Sequence, residues 1–156
     1  MTMIPNLKDF MNNVKQASLR VINEGHYVDG EEVYVHKFTP NWIKKVVADD
    51  IKKGNYRIGL LNNGSFNVCY VGRATDQKLQ DRLLQHTNPN DDHYFDEDYY
   101  FIFDAASTDD EAINQECIDY HSFGGDDNYL DNEYHPSLPD GKQCPWKSCD
   151  HEGGKQ

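Results

Sequence analysis

Residues 54–86 read GNYRIGLLNNGSFNVCYVGRATDQKLQDRLLQH, and this stretch decides the fold. Two largely apolar runs, 56–61 and 66–71, flank a cluster of turn-forming residues at 62–65. Asn and Gly tolerate the positive φ angles that the tight turns of hairpins require. The stretch therefore predicts two antiparallel strands joined by a short turn.

A helix is expected to follow the second of these strands. Gly72 is predicted to end the strand, and Thr75 or Asp76 can cap the helix that comes next. Arg82 and His86 stand four residues apart on that helix, so they are expected to share one of its faces.

Periodicity before residue 54 predicts a helical extension. Residues 6–23 carry apolar side chains at helical spacing, and 26–35 read as a small hairpin with an Asp-Gly turn. Thr39 as N-cap and Pro40 at the first position predict a second helix, which Gly54 is expected to end.

The elements after residue 86 complete the predicted core. The apolar run 99–103 is the expected third strand. Thr108 and Glu111 are spaced as a capping box for a helix that runs to about His121. This order predicts an α+β fold, with a small three-stranded, mostly antiparallel sheet flanked by helices.

Three regions are expected along the chain. Residues 1–53 form an N-terminal extension of helix, hairpin and helix, and 54–139 form the core. Residues 140–156 form a C-terminal tail that is rich in Gly and polar residues and has little periodicity.

The charge is distributed unevenly along the 156 residues, whose net charge is −12. Residues 51–86 carry six Lys and Arg against two Asp and Glu, whereas 87–156 carry three against 18. A nucleic-acid partner needs basic surface, which only the first of these segments provides. The acidic remainder either restricts DNA to one face of the protein or indicates a partner other than DNA.

Neither a signal peptide nor a long apolar run is apparent, which predicts a cytoplasmic protein with no membrane partner. In that compartment the four cysteines are expected to be thiols or metal ligands rather than disulfides. Cys144, Cys149 and His151, with His135 as a fourth ligand, form one possible zinc site. The other reading is two free thiols in a tail.

Two short motifs resemble those of the GIY-YIG nuclease superfamily. Residues 54–58, Gly-Asn-Tyr-Arg-Ile, resemble the first half of its motif, and 70–72, Tyr-Val-Gly, resemble the second half. The family then carries an Arg, often a His, a metal-binding Glu and a late Asn. Residues in this order and at plausible spacing are Arg82, His86, Glu116 and Asn132.

The resemblance implies roles for these side chains. It implies that Tyr56 acts as general base near the attacking water, with His86 as its helper, and that Tyr70 positions the water or the scissile phosphate. It also implies that Arg82 stabilises phosphoryl charge and that Asn132 orders the site. Gly72 and Arg73 are the predicted substrate-binding residues.

Glu116 is the predicted ligand of Mg²⁺ or Mn²⁺. It lies among apolar side chains at helical spacing, and a carboxylate buried there needs either a cation or an ion-pair partner such as Arg82. Asn55 departs from the family pattern, where an apolar residue is usual. Either it occupies an edge position, or the first catalytic tyrosine is not Tyr56.

The sequence thus predicts an endonuclease that hydrolyses DNA phosphodiester bonds by one-metal, in-line attack of water. Cutting both strands would then require a homodimer or two successive binding events. The alternative is a catalytically inactive protein of the same fold that binds partners through its acidic surface.

Overall fold

The computed structural model describes residues 18–20, 26–28, 31–33, 35–62 and 65–154. In chain order the elements are β1 (Ser18–Arg20), β2 (His26–Val28), β3 (Glu31–Val33), β4 (His36–Lys37), α1 (Pro40–Val46), β5 (Gly54–Asn62), β6 (Ser65–Ala74), α2 (Leu79–Gln85), β7 (Tyr100–Ala105) and α3 (Asp109–Ser122). A short 3-10 turn, Gly125–Asp127, follows α3.

The described elements form an antiparallel sheet with the strand order β1-β6-β5-β7-β4. The α+β class is confirmed, and the three central strands are the predicted ones. The count of three strands was wrong, because the short strands β1 and β4 pair along the outer edges of β6 and β7. Strands of two or three residues give almost no periodic signal in a sequence.

The N-terminal predictions have mixed outcomes. The small hairpin is confirmed as the antiparallel pair β2 and β3. Most of the predicted helix over 6–23 lies outside the described residues. Its part at 18–20 was wrong, because these residues pair with residues 65–67 as β1 and pairing with the sheet overrides the local helical pattern.

Two of the predicted N-caps, Thr39 and Thr108, are confirmed. The Thr39 hydroxyl accepts a hydrogen bond from the Trp42 amide at 3.2 Å, and the Thr108 hydroxyl accepts one from the Glu111 amide at 3.1 Å. The end predicted for α1 was wrong, because Gly54 is the first residue of β5. A side chain at residue 54 would collide with the carbonyl of Asp104 on β7. No helix among the described residues has both the length and the apolar character needed to cross a membrane.

Strand β6 is longer than expected and contains an irregularity. It continues through Gly72 to Ala74, and the N-cap of α2 is Lys78 rather than Thr75 or Asp76. Its register with β5 shifts after the pair Ile58 and Tyr70, since the next pair is Gly59 and Val68.

The extra residue in this β-bulge, Cys69, reverses the alternation of side chains along β6. Val68 therefore packs beneath α3, whereas Tyr70 lies on the opposite face beside Ile58. A regular strand would have placed Val68 and Tyr70 on the same face. The bulge thus brings Tyr70 to the face that carries Tyr56.

The sheet separates two apolar clusters. One lies on the side of α3 and the other on the side of α1 and α2. The α3 side contains Val35, Phe66, Val68, Val71, Ile102, Tyr120, Phe123 and Leu130. The opposite side contains Phe38, Ile43, Val47, Tyr56, Ile58, Tyr70, Ala74, Leu79, Leu83, Phe95 and Phe101.

Candidate active site

A cavity of about 260 Å³ lies beside the C-terminal half of β6. Residues from β5, β6, α2 and α3 line it, although they are far apart in the sequence. Six residues predicted for the site line this cavity: Tyr56, Tyr70, Gly72, Arg73, Arg82 and Glu116. The other two predicted residues do not line the cavity. His86 contacts the Tyr56 hydroxyl, and Asn132 contacts the backbone of Val71.

Tyr56 and Gly72 occupy directly opposite positions on β5 and β6. A Cβ atom at residue 72 would collide with the Tyr56 ring and hydroxyl. The glycine therefore leaves room for the phenol to lie across β6. The Tyr70 ring lies on the same face, with its centroid 6.4 Å from that of Tyr56.

The Tyr56 hydroxyl lies 2.7 Å from Nε2 of His86, and both side chains are buried. On the other side of the imidazole, Nδ1 lies 2.8 Å from the carbonyl oxygen of His93 and 3.1 Å from Oδ2 of Asp91. A carbonyl oxygen only accepts hydrogen bonds, so Nδ1 carries the proton. Nε2 of the neutral ring then accepts the hydrogen bond that Tyr56 donates.

Both phenols are protonated at neutral pH, and burial raises the pKa of each further above its usual value of about 10. Desolvation, reinforced by Tyr70, raises the pKa of Tyr56 far above its usual value. Desolvation also raises the pKa of Tyr70 to about 12. The Arg82 guanidinium opposes both shifts, because its positive charge favours a phenolate.

The His86 imidazole is held in its neutral form. Burial lowers the pKa of His86, and the hydrogen bond to the His93 carbonyl and the nearby Asp91 carboxylate partly oppose this shift. A neutral imidazole with Nε2 directed at a phenol can accept a proton from it. A proton can therefore move from Tyr56 to His86, with the Asp91 carboxylate on the far side of the imidazole.

Glu116 forms an ion pair with Arg73, with 2.7 Å between Oε1 and the guanidinium. The sequence suggested Arg82 as its partner, and that suggestion was wrong. The side chains of Arg73 and Glu116 are only 16% and 12% exposed. Burial raises the pKa of Glu116 to about 7, although Arg73 acts in the opposite direction. Arg73 also donates a hydrogen bond to the Ser137 carbonyl at 2.7 Å.

The residues around the cavity fit a hard divalent cation. Glu116 and Asp76 are its lining carboxylates within the described chain, and the sequence had assigned Asp76 only a capping role. Mg²⁺ commonly binds to one or two carboxylates and keeps several waters, for which this cavity has space. A desolvated carboxylate such as Glu116 is also stabilised by a nearby positive charge.

Asn132 closes the outer edge of β6 next to the cavity. Its side-chain oxygen accepts a hydrogen bond from the Val71 amide at 3.0 Å, and its amide donates to the Val71 carbonyl at 2.9 Å. The Asp131 amide donates to the Cys69 carbonyl at 2.6 Å. These contacts fix β6 between Tyr70 and Gly72, so Asn132 acts on the site through the backbone.

Asn55 does not occupy an edge position. It lies on β5, which pairs with β6 on one side and β7 on the other. Its buried side chain donates a hydrogen bond to the Ala112 carbonyl on α3 at 2.8 Å. The polar residue therefore joins the sheet to the helix that carries Glu116.

Sequence reasoning missed a buried charge cluster on the α3 side of the sheet. The Arg57 side chain is fully buried, with Nε 2.7 Å from Asp119 and a terminal nitrogen 2.8 Å from Asp104. Gln115 donates a further hydrogen bond to Asp119 at 2.8 Å. Asp119 lies three residues after Glu116, so this cluster fixes the helix that presents Glu116. The sequence signal that could have revealed this cluster is the position of Arg57 between Tyr56 and Ile58 inside a predicted strand.

Comparisons with protein-family models, with curated proteins and with solved structures found no match to this chain.

Proposed function

We propose that this protein is a divalent-metal-dependent endonuclease of the GIY-YIG type that hydrolyses DNA phosphodiester bonds. One observation carries the proposal. The tyrosines of the two half-motifs, two arginines and a mostly buried carboxylate line a single cavity, and one of the tyrosines is hydrogen bonded to a neutral histidine. General-base and charge-stabilising groups around one cavity suit phosphodiester hydrolysis.

The proton path begins at Tyr56. A phenol with a raised pKa is a poor base by itself, so Tyr56 must lose its own proton as it takes one from water. Nε2 of His86, 2.7 Å away, accepts that proton. The water oxygen then forms a bond to phosphorus while the bond to the leaving oxygen breaks, and the leaving oxygen takes a proton from solvent water. The resulting imidazolium is stabilised by Asp91, 3.1 Å from Nδ1.

Two arginines are available to the phosphodiester. Arg82 lies close enough to both phenols to lower their pKa values, and it lines the same cavity. A planar guanidinium is well suited to the equatorial oxygens of a phosphoryl group in the transition state. Arg73 contributes a second positive charge, and Tyr70 can donate a hydrogen bond to the phosphate because it stays protonated.

Glu116 would hold the cation, with Asp76 as a second carboxylate on the cavity wall. When bound, the cation would neutralise charge on the phosphoryl oxygens. Before a cation binds, the ion pair with Arg73 holds the Glu116 carboxylate at the cavity, since a buried carboxylate needs a positive partner.

The charge pattern supports a single direction of approach for DNA. The segment 51–86, which contributes most of the cavity wall, is basic, and the segment 87–156 is strongly acidic. Phosphate repulsion disfavours binding elsewhere on the surface. A single site nicks one strand, and a homodimer would provide the second cut.

The test is nicking of supercoiled plasmid in the presence of Mn²⁺, with calorimetric titration of Mn²⁺ on the same samples. We expect Glu116→Gln to abolish both nicking and Mn²⁺ binding. Glu111→Gln, an exposed carboxylate on the first turn of α3, is the matched control and should retain both. The proposal fails if duplex, single-stranded and branched DNA all remain intact, or if Glu116→Gln cuts as well as the unaltered chain.

One observation favours a second function, a catalytically inactive interaction protein of the same fold. The ion pair between Arg73 and Glu116 neutralises both groups without any ligand. Together with the acidic segment 87–156, it suits a protein that binds basic partners. Salt-sensitive capture of a basic partner by a chain that neither binds Mn²⁺ nor cuts DNA would favour this second function.

A further inference from the structure

A second cluster of reactive side chains lies beyond the C-terminal end of α3, away from the active-site cavity. The ligand atoms of four residues lie within 4.8 Å of one another: His121, His135, Cys144 and Cys149. His121 comes from the last turn of α3, and the other three come from the segment that follows. His121 and Cys144 are buried, and His135 and Cys149 are half-buried.

Two distances between nitrogen and sulfur in this cluster match the edges of a tetrahedral metal site. Cys144 Sγ lies 3.4 Å from Nε2 of His121, and Cys149 Sγ lies 3.5 Å from Nε2 of His135. Zinc bonds of about 2.1 Å to nitrogen and about 2.3 Å to sulfur, at the tetrahedral angle, place these atoms about 3.6 Å apart. Both of these distances between nitrogen and sulfur are therefore close to the edge length of a zinc tetrahedron.

The other nitrogen of each imidazole is already engaged. Nδ1 of His121 lies 2.6 Å from a carboxylate oxygen of Asp126, and Nδ1 of His135 lies 2.9 Å from the Pro136 carbonyl. Both acceptors require a proton on Nδ1, which leaves the lone pair of each Nε2 directed at the cluster. A carboxylate or carbonyl behind each imidazole is the usual outer shell of a histidine-ligated metal.

His151 is a ligand in the possible zinc site that the sequence suggested, and its position argues for a different role. Its ring is stacked on that of His135, with 4.1 Å between the centroids. Its backbone amide donates a hydrogen bond to Cys149 Sγ at 3.5 Å. His151 therefore supports two of the ligands, and His121 takes its place in the group of four.

We propose that His121, His135, Cys144 and Cys149 form a structural zinc site. Two nitrogen and two sulfur ligands from the protein complete a tetrahedron, so the site is closed and has no position for a substrate. The metal would fasten the segment 135–149, which contains no helix or strand, to the end of α3. Since α3 also carries Glu116, zinc would help to hold that helix in place. This inference does not depend on the nuclease activity.

Metal analysis of protein purified without chelator is the first test. We expect one equivalent of zinc per chain, and at least a tenfold lower content in Cys149→Ser. Cys69→Ser, a half-buried thiol on β6, is the matched control and should keep one equivalent. His151→Gln should also keep its zinc, whereas His121→Gln should lose it. Absence of zinc from the unaltered chain, or loss from His151→Gln but not from His121→Gln, would overturn the proposed ligand set.

Cobalt substitution tests the site in the unaltered chain, so the result does not depend on the folding of a variant. Chelator-treated, reduced protein titrated with Co²⁺ should develop thiolate-to-cobalt charge-transfer bands and the intense d–d bands of a tetrahedral ion, saturating at one equivalent. Added zinc should remove these bands. A spectrum without thiolate bands, or a disulfide between Cys144 and Cys149 in freshly purified protein, would contradict the proposal.

Discussion

The ring of Tyr56 lies in the space that a side chain at residue 72 would occupy, and Gly72 is its direct partner on the neighbouring strand. The tyrosine of the first half-motif and the glycine of the second are therefore one structural unit. The glycine allows the phenol to cross β6 and reach His86 on α2.

Gly72→Ala should displace the Tyr56 ring and lengthen its hydrogen bond to His86. We expect plasmid nicking to fall by about 100-fold, because a displacement of about 1 Å in a catalytic group can have that effect. Gly141→Ala is a useful control, since a residue there at φ +80° is strained but contacts no neighbouring atom. That variant should lose about 1 kcal/mol of stability and keep its activity. Equal losses of activity would show that the effect at Gly72 is only one of stability.

Tyr56→Phe should reduce the turnover rate by at least 100-fold, because it removes the hydroxyl that we propose takes a proton from water. The Kd for DNA should change little. Tyr120→Phe is the matched control, since it removes a hydroxyl on α3 that bonds to the Gly125 carbonyl at 3.2 Å. Single-turnover nicking and DNA-binding titrations distinguish the two effects. A Tyr56→Phe protein that cuts normally would exclude the proton path through His86.

The acidic limit, the pH at which the nicking rate falls to half of its maximum on the acidic side, should lie below pH 6.5. Burial lowers the pKa of His86, so its neutral, proton-accepting form persists below the usual pKa of about 6.5, and activity is lost as the pH falls through the lowered value. Glu116, with its pKa near 7, takes up protons in the same range, so the assay needs saturating Mn²⁺.

A comparison with Asp91→Asn identifies the His86 contribution to this profile. Asp91 raises the pKa of His86, while burial and Arg82 lower it. Removing the Asp91 charge should therefore move the acidic limit to still lower pH. A shift to higher pH, or no shift, would mean that another group controls the rate.

Arg57→Met should lower the free energy of unfolding by about 3–5 kcal/mol, because it leaves Asp119 buried without its cation. Lys53→Met is the control, since its ion pair with Asp109 is partly exposed and should contribute less than about 1 kcal/mol. Urea unfolding curves measure both changes. Similar effects of the two substitutions would indicate that water reaches the Arg57 cluster.

The parts of the fold that the sequence predicted correctly depend on local signals. Thr39 before Pro40 and the spacing of Thr108 and Glu111 indicate helix starts without information from elsewhere in the chain. The edge strands, the bulge at Cys69 and the extension of β6 beyond Gly72 depend on which residues face each other across the sheet. Such pairings are not encoded in a short window of sequence.

In the candidate site, too, the sequence identified individual residues but not the contacts between distant parts of the chain. The half-motifs identified Tyr56, Tyr70 and Gly72, and these line the cavity together with the predicted Glu116. The ion-pair partner of Glu116 was misassigned, because the arginine that reaches it is Arg73 on β6 and not Arg82 on α2. The Arg57 cluster draws residues from several elements, so its composition emerges only after folding. In the histidine and cysteine cluster the sequence indicated His135, Cys144 and Cys149, and it missed His121 on α3.

Asn132 affects whether another chain can pair with the edge of β6. A strand edge with unpaired backbone groups attracts a second extended chain and so promotes aggregation. At Val71 both backbone groups bind the Asn132 side chain, and the Cys69 carbonyl binds the Asp131 amide. The Asn132 side chain and the Asp131 amide thus occupy the backbone groups of Cys69 and Val71 with which an added strand would pair, so this part of the edge is closed to strand addition.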